Sequence, residues 1–195
     1  MNAVIEQETN LTVKRRRFTT DEFQEMVKVR ILPEEHGWEV IDGYLIDKMS
    51  IGTKHASVVK RLNRILNRRF GDNLLVSVQD PIHLNKYNEP EPDIALLVWR
   101  DDEYQTQHPI PNDILAVIEV SDSTLKYDRE VKKNLYAEAG IVEFWLIDIT
   151  GSTVEVYSQP RNGMYRNVQI FGKGETVNSM TIEKLALEVN EILGL

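Results

Sequence analysis

The chain has 195 residues, of which 42% are hydrophobic and 28% are charged, an ordinary composition for one compact domain with an apolar core. It contains no cysteine, which excludes disulfides, thiolate zinc sites and a cysteine nucleophile, so any metal would be a hard ion such as Mg²⁺ or Mn²⁺. The net charge of −8 argues against a protein that coats nucleic acid, and no apolar run suits a signal peptide or membrane span, so we expect a cytoplasmic protein.

The N-terminal segment, residues 1–18, has no periodic apolar pattern and ends in a run of basic residues. We interpret it as a mobile arm that precedes a single domain over residues 19–195. A helix is predicted next, because Thr19 or Thr20 can cap a first turn that contains acids. We expect this helix to end by Pro33.

Two further local patterns follow in the first half of the chain. The Asp42-Gly43 pair lies between two apolar runs, which is a strong signal for a β-hairpin. From Lys54 to Phe70 the apolar residues recur on one stripe, which predicts an amphipathic helix that ends at Gly71.

The second half begins with apolar runs that predict strands covered on both faces, at residues 74–78, 93–99 and 114–120. Beyond them the patterns predict a helix over 128–139, strands over 143–148, 154–157 and 165–171, and a closing helix over 181–193. The order of these elements indicates a mixed α/β domain with one central sheet.

Asp93 and Glu119 interrupt the apolar pattern, because each is an acid at one end of an otherwise apolar strand. If these strands are antiparallel neighbours and Val98 pairs with Ile114, Asp93 lies directly opposite Glu119. Opposed residues share one face, with Cβ atoms about 4.5–5.5 Å apart. Two carboxylates roughly 5 Å apart repel by about 3 kcal/mol at an effective dielectric of 20, so a bridging divalent cation would explain why both are kept.

Other interpretations of the two acids are open at this point. Either acid could face solvent at a strand end, or pair with a nearby lysine or arginine. A register slip by one residue would also place the two side chains on opposite faces of the sheet.

Lys132 lies in the helix predicted after the second acidic strand. If that helix turns back over the strand end, the ammonium could reach the carboxylate pair and act on a phosphate or on the attacking water. The competing interpretation is an i,i+4 ion pair between Asp128 and Lys132 on a solvated helix face, worth a few tenths of a kcal/mol.

Several short motifs occur together along the chain. They are Pro92-Asp93, Ile118-Glu119-Val120-Ser121, Ser123-Thr124, Tyr127-Asp128-Arg129, Lys132, Tyr136-Ala137-Glu138-Ala139-Gly140-Ile141 and Glu143-Phe144-Trp145-Leu146-Ile147-Asp148, with Glu39, Asp42-Gly43, His55 and Gln79-Asp80-Pro81 before them. In this combination the chain resembles the Uma-type restriction endonuclease family, part of the PD-(D/E)XK nuclease-like superfamily. The resemblance covers residues 20 to 190, approximately.

The resemblance implies an α/β fold with a restriction-endonuclease-like core, in which helices flank a central mixed β-sheet. It also implies Mg²⁺ or Mn²⁺ bound by Asp93, Glu119 and the Val120 carbonyl. The superfamily pattern has a lysine two residues after the second acid, where this chain has Ser121, and Lys132 is the matching lysine. Glu39 is implied as an additional acid that faces the site.

Phosphodiester hydrolysis of nucleic acid, with DNA as the expected substrate, is the predicted activity. Gln79 is expected to help position the attacking water. Arg61, Arg64 and Arg68 share one helix stripe and are candidates for phosphate contacts, although a solvated helix face is the competing interpretation. A homodimer would suit an enzyme that cuts two strands. The alternative function is a catalytically silent nuclease-fold module that binds a partner, which the acidic charge favours modestly.

Overall fold

The computed structural model describes residues 15–33, 37–48 and 51–195. Of the predicted N-terminal arm, residues 1–14 lie outside these ranges. Arg17 contacts the domain, since its guanidinium donates to the Asp42 carbonyl at 2.7 Å and lies 4.3 Å from the centre of the Tyr87 ring.

Helices and strands are interspersed along the described chain, with a run of five strands before the last helix. The helices are α1 (Thr20–Lys28), α2 (Thr53–Phe70), α3 (Leu125–Tyr127), α4 (Lys133–Glu138) and α5 (Val189–Leu193), with a π-helical segment at Asp128–Lys132 and 3₁₀ turns at Gly71–Asn73 and Pro111–Asp113. The strands are β1 (Trp38–Ile41), β2 (Tyr44–Asp47), β3 (Leu74–Ser77), β4 (Ile94–Val98), β5 (Ile114–Ser121), β6 (Glu143–Asp148), β7 (Thr153–Arg161), β8 (Met164–Phe171), β9 (Thr176–Asn178) and β10 (Ala186–Glu188).

Among the described residues, the main sheet has six strands in the order β3-β4-β5-β6-β7-β8. The β5–β6 pair is parallel and the other neighbouring pairs are antiparallel. The connection between the parallel strands carries α3, the π segment and α4, because a parallel pair needs a crossover. The predicted central mixed sheet with flanking helices is thus confirmed.

The central strands of this sheet, β4, β5 and β6, are buried on both faces. On one face, Leu62 of α2 and Ile192 of α5 pack in a cluster with Trp145 of β6. On the other face, Tyr136 of α4 packs in a second cluster with Phe144. Burial on both faces explains why β4 and β5 are apolar at nearly every position.

The local signals in the first half of the chain are confirmed. Thr19 caps α1 and forms a capping box with Glu22, although the helix ends at Lys28, well before Pro33. The Asp42-Gly43 turn joins β1 to β2, and both of its residues have positive φ, 52° and 74°. That geometry suits a two-residue hairpin loop with the right twist for its strands.

One predicted pairing is wrong. Ile114 pairs with Leu97 rather than with Val98, because a β-bulge shifts the register of the β4–β5 pair. At the other end of the pair, Ile94 lies opposite Ile118, which is the alignment that the prediction requires next to the two acids. The bulge therefore changes only the end that is remote from them.

The predicted closing helix over 181–193 is also wrong for most of its length. Only α5 is helical, and β10 before it pairs with β9. Lys184 has a φ of 66°, a left-handed conformation that interrupts a helix. Leu185 and Leu187, both buried, are two residues apart, which is the repeat of a strand.

No helix in the described part of the chain combines the length and the apolar character needed to cross a bilayer.

Candidate active site

A cavity of about 590 Å³ opens between the β1–β2 hairpin, the first turn of α2, the ends of β4 and β5, and the segment from α3 to the π turn. Its wall includes each residue that the sequence predicts to be catalytic or to bind metal: Glu39, Gln79, Asp93, Glu119, Val120 and Lys132. These residues come from several distant parts of the chain, and the fold brings them to one place.

The two acids lie side by side in the cavity wall. Asp93 directly precedes β4 and Glu119 lies in β5, with exposed fractions of 9% and 3%. The Val120 amide donates to Asp93 Oδ2 at 2.9 Å, and the Asp93 amide lies 3.4 Å from Glu119 Oε2. The acids therefore share one face of the sheet, and the interpretation that they face solvent is wrong.

Lys132 reaches the acids from the π segment. Its Nζ lies 3.0 Å from Glu119 Oε1 and 3.6 Å from Glu39 Oε2, and the side chain is buried. Glu39 also accepts a hydrogen bond from the Glu91 amide at 3.2 Å, which holds its carboxylate on the lysine side of the cavity. Lys132 thus reaches one acid of the predicted pair, Glu119.

Asp128 is buried and serves a different purpose from the predicted surface ion pair with Lys132. Its Oδ2 accepts from Ser121 Oγ and from Thr124 Oγ1, each at 2.6 Å. These bonds tie the start of the π segment to the end of β5. The solvated i,i+4 interpretation is wrong because both Asp128 and Lys132 turn inward.

The pKa values of Glu119 and Lys132 differ in a way that fixes the charge of each group. Burial raises the pKa of Glu119 to about 7, even though the Lys132 ammonium opposes the shift. Burial alone would lower the pKa of Lys132, but the Glu119 and Glu39 carboxylates raise it overall. Tyr136 donates to Glu119 Oε1 at 2.6 Å. Lys132 therefore stays positively charged, whereas Glu119 titrates near neutral pH.

Asp93 is held by a second set of partners. His55 Nε2 lies 2.9 Å from Asp93 Oδ2, and Gln79 Nε2 donates to Asp93 Oδ1 at 3.2 Å. Burial alone would raise the pKa of Asp93, but the hydrogen bond and charge of His55, together with the Val120 amide, lower it overall. Asp93 is thus ionised at neutral pH and aimed into the cavity.

The donor set suits a hard divalent ion. Lys132 and Tyr136 both contact Oε1 of Glu119, which leaves Oε2 beside Asp93. Within the described residues, no group of three or more His, Asp or Glu side chains is arranged to hold a metal ion. Mg²⁺ commonly takes only one or two carboxylates from a protein and completes its shell with water and substrate oxygens, so two acids and the Val120 carbonyl fit it.

The predicted phosphate-binding arginines lie on α2, away from the cavity wall. Arg61 donates to the Ile192 carbonyl at 3.1 Å and so links α2 to α5. Arg64 and Arg68 are exposed. None of these three arginines is among the described residues that line the cavity.

Three contributors to this site were not predicted from the sequence. They are Tyr127, Tyr136 and His55, which is the partner of Asp93. Tyr136 follows Lys132 by four residues, so helical spacing could have placed both on one face. His55 and Asp93 are 38 residues apart in the chain, and no local pattern links them. Tyr127 lines the cavity with its hydroxyl buried.

Comparisons with known proteins agree with this architecture. Residues 20–190 match the Uma2 family model, which is described as "Putative restriction endonuclease". The chain is also similar to the crystal structure of a putative nuclease belonging to DUF820 from Anabaena variabilis, with 21% sequence identity and a TM-score of 0.70. That alignment covers 91% of this chain and 98% of the other. No curated protein matches the sequence. At this identity, the structural likeness establishes the fold.

Proposed function

Because the chain belongs to the Uma2 family of putative restriction endonucleases, we propose that it is a nuclease that hydrolyses DNA with bound Mg²⁺ or Mn²⁺. The observation that carries the proposal is the pair of buried carboxylates, Asp93 and Glu119, on one face of the sheet beside the Lys132 ammonium. Two acids and a lysine in one cavity are the groups that metal-assisted phosphodiester hydrolysis requires.

Asp93, Glu119 and the Val120 carbonyl would hold the ion, which supplies a water of lowered pKa and neutralises charge on the scissile phosphate when it is bound. Tyr136 and Lys132 fix the orientation of the Glu119 carboxylate through its Oε1 atom. Gln79 orients Asp93 in the same way through Oδ1, and its amide oxygen is available to accept a hydrogen bond from the attacking water.

Lys132 acts as a fixed positive charge. Its ammonium keeps its proton, so it cannot serve as the general base. A buried cation beside the scissile phosphate stabilises the negative charge that develops on the phosphate oxygens. Glu39 helps to position this cation, since its Oε2 lies 3.6 Å from Lys132 Nζ.

Cleavage assays on DNA and RNA, single- and double-stranded, with Mg²⁺ or Mn²⁺ test the proposal. Asp93→Asn should lower the DNA cleavage rate at least 100-fold, roughly the effect of removing one essential catalytic group. Asp148→Asn is the matched control, because Asp148 ends β6, has the same exposed fraction of 9% as Asp93, and lies outside the cavity wall. DNA cleavage that survives in Asp93→Asn, or is absent from the wild type, would refute the proposal.

A second candidate is a catalytically silent nuclease-fold module that binds a partner. The observation that favours it is that each acid already has a partner in the protein, Glu119 with Lys132 and Asp93 with His55. Calorimetric titration separates the two functions. The nuclease should bind Mn²⁺ with an affinity that Asp93→Asn abolishes, whereas a silent module should take up no ion at this site.

The homodimer, the cytoplasmic location and the single domain over 19–195 are parts of the same proposal. Light scattering across a range of concentrations tests the dimer, and a mass of one chain at all concentrations would exclude it.

Arg64 and Arg68, exposed on α2, stay candidates for phosphate contacts. Replacing both with glutamine should reduce the salt dependence of DNA binding if they serve that purpose.

A further inference from the structure

Two unpartnered buried groups point to a ligand in the cavity. Among the described residues, the buried side-chain nitrogen and oxygen atoms without a hydrogen-bond partner are His55 Nδ1 and the Tyr127 hydroxyl. Both residues line the same cavity. Leaving a buried polar group unpaired costs about 1–3 kcal/mol, so two of them in one wall indicate that a bound molecule completes the site.

The Tyr127 hydroxyl is a hydrogen-bond donor at neutral pH. Burial raises the pKa of Tyr127 to about 12, with the Glu39 carboxylate adding to the shift and the Lys132 ammonium opposing it. Tyr127 lines the cavity together with both of these charged residues. A donor there needs an acceptor, and the non-bridging oxygens of a phosphodiester are strong acceptors.

The π segment explains how Tyr127 and Lys132 both face the cavity. The two residues are five positions apart, and in an α-helix that spacing would point them about 140° away from each other. Hydrogen bonds between residues five apart widen the turn at Asp128–Lys132 and bring the two side chains to the same side. Single π turns of this kind are frequent at functional sites.

We propose that the Tyr127 hydroxyl donates a hydrogen bond to a non-bridging oxygen of the substrate phosphate and holds that group beside Asp93 and Glu119. This inference rests on the proposed nuclease function and names one further group that contacts the substrate. The interaction makes Tyr127 a binding group for the phosphate in the cavity that His55 and Asp93 also line.

Tyr127→Phe tests the inference because it removes only the hydroxyl. It breaks no hydrogen bond of the free protein, so the melting temperature should equal or exceed that of the wild type. Cleavage of DNA with Mg²⁺, and binding of a labelled oligodeoxynucleotide with Ca²⁺, should each weaken roughly 10- to 100-fold, the effect of one hydrogen bond to a charged group.

Tyr165→Phe is the matched control. The Tyr165 hydroxyl donates to the Ile141 carbonyl at 2.9 Å and lies outside the cavity wall. This variant should lose stability and keep its cleavage rate, the reverse of the pattern expected for Tyr127→Phe.

Unchanged cleavage and binding in Tyr127→Phe would overturn the inference, while the nuclease proposal would stand if Asp93→Asn is inactive. A joint loss of stability and activity in Tyr127→Phe would show that the hydroxyl is structural and would overturn the inference as well. A wild-type protein that neither binds nor cuts DNA would refute the proposed function itself, and the inference with it.

Discussion

At the scale of single residues, the site is organised around one buried cation. Lys132 is 7% exposed and lies between Glu119 and Glu39, which are both 3% exposed. Removing one partner of a buried ion pair is costly, because the remaining charge is left without compensation. This arrangement makes Lys132 important for stability as well as for the proposed chemistry.

Lys132→Met should lower the free energy of unfolding by about 3–5 kcal/mol at pH 8, since two buried carboxylates lose their cation. The loss should shrink near pH 5, because burial raises the pKa of Glu119 to about 7 and this carboxylate can then take up a proton. Urea unfolding at both pH values measures the effect. Lys126→Met, at an exposed lysine of the same helical connection, should change stability little. A loss at Lys132 no larger than at Lys126 would contradict the prediction.

The pair of His55 and Asp93 should make the ion-free stability depend on pH. Burial alone would lower the pKa of His55, but Asp93 raises it above 6.5, so its contribution is complete below pH 6.5 and is lost at higher pH. The pKa of Asp93 is lowered from 3.8, so its contribution is complete above pH 3.8 and is lost at lower pH. The pair therefore stabilises the fold most between these values.

Melting curves of wild type and His55→Gln, recorded in EDTA at about pH 5.5 and about pH 8.5, test this dependence. The wild type should exceed the variant by more at the lower pH. An equal difference at both pH values would mean that the histidine contributes only by packing.

At the scale of elements, the connection from β5 to α4 builds most of the site. Ser121 ends β5, and its hydroxyl and that of Thr124 both donate to Asp128. The anchored π segment then turns Lys132 inward, and α4 places Tyr136 on the same carboxylate. One short connection thus delivers several groups that act on Glu119.

Asp128→Leu should disrupt this connection, because the buried Ser121 hydroxyl and the partly buried Thr124 hydroxyl lose their acceptor. We expect a loss of about 2–3 kcal/mol in unfolding free energy and a clear loss of cleavage activity. Asp128→Asn keeps an acceptor oxygen and should retain most of both. Unfolding by urea, run beside the cleavage assay, distinguishes the variants. If Asp128→Leu and Asp128→Asn have the same stability and the same cleavage rate, the hydrogen bonds that Asp128 accepts are unimportant.

At the scale of the whole molecule, the protein has a net charge of −8 and places several of its acids in the wall of one cavity. In the absence of an ion, burial and the neighbouring acids raise the pKa of Glu119, so its ionisation opposes folding as the pH rises above 4.5. Under the proposed function, a divalent cation removes this cost and couples metal binding to the stability of the entire fold.

Mn²⁺ at 100 times its dissociation constant should therefore stabilise the wild type by about 2.7 kcal/mol. Thermal melts with Mn²⁺ and with EDTA measure the shift. Asp93→Asn should abolish the shift, and the control Asp148→Asn should keep it. A shift that persists in Asp93→Asn would place the ion elsewhere.

The sequence by itself determined the features that depend on local patterns. The Asp42-Gly43 turn, the apolar stripe of α2 and the apolar strands followed from backbone sterics and from one-dimensional periodicity. Asp93 and Glu119 stood out because an acidic residue is unusual in an apolar sequence that predicts a buried strand. These signals were enough to predict the α/β class and the two acids at the centre of the candidate site.

Only the tertiary structure decided which groups surround those acids. The β-bulge that separates Ile114 from Val98, the π turn that aligns Tyr127 with Lys132, and the short strand β10 inside the predicted closing helix depend on packing between elements. The contact of His55 with Asp93 likewise joins residues that are far apart in the chain. Such features minimise the free energy of the whole core, so no local pattern in the sequence specifies them.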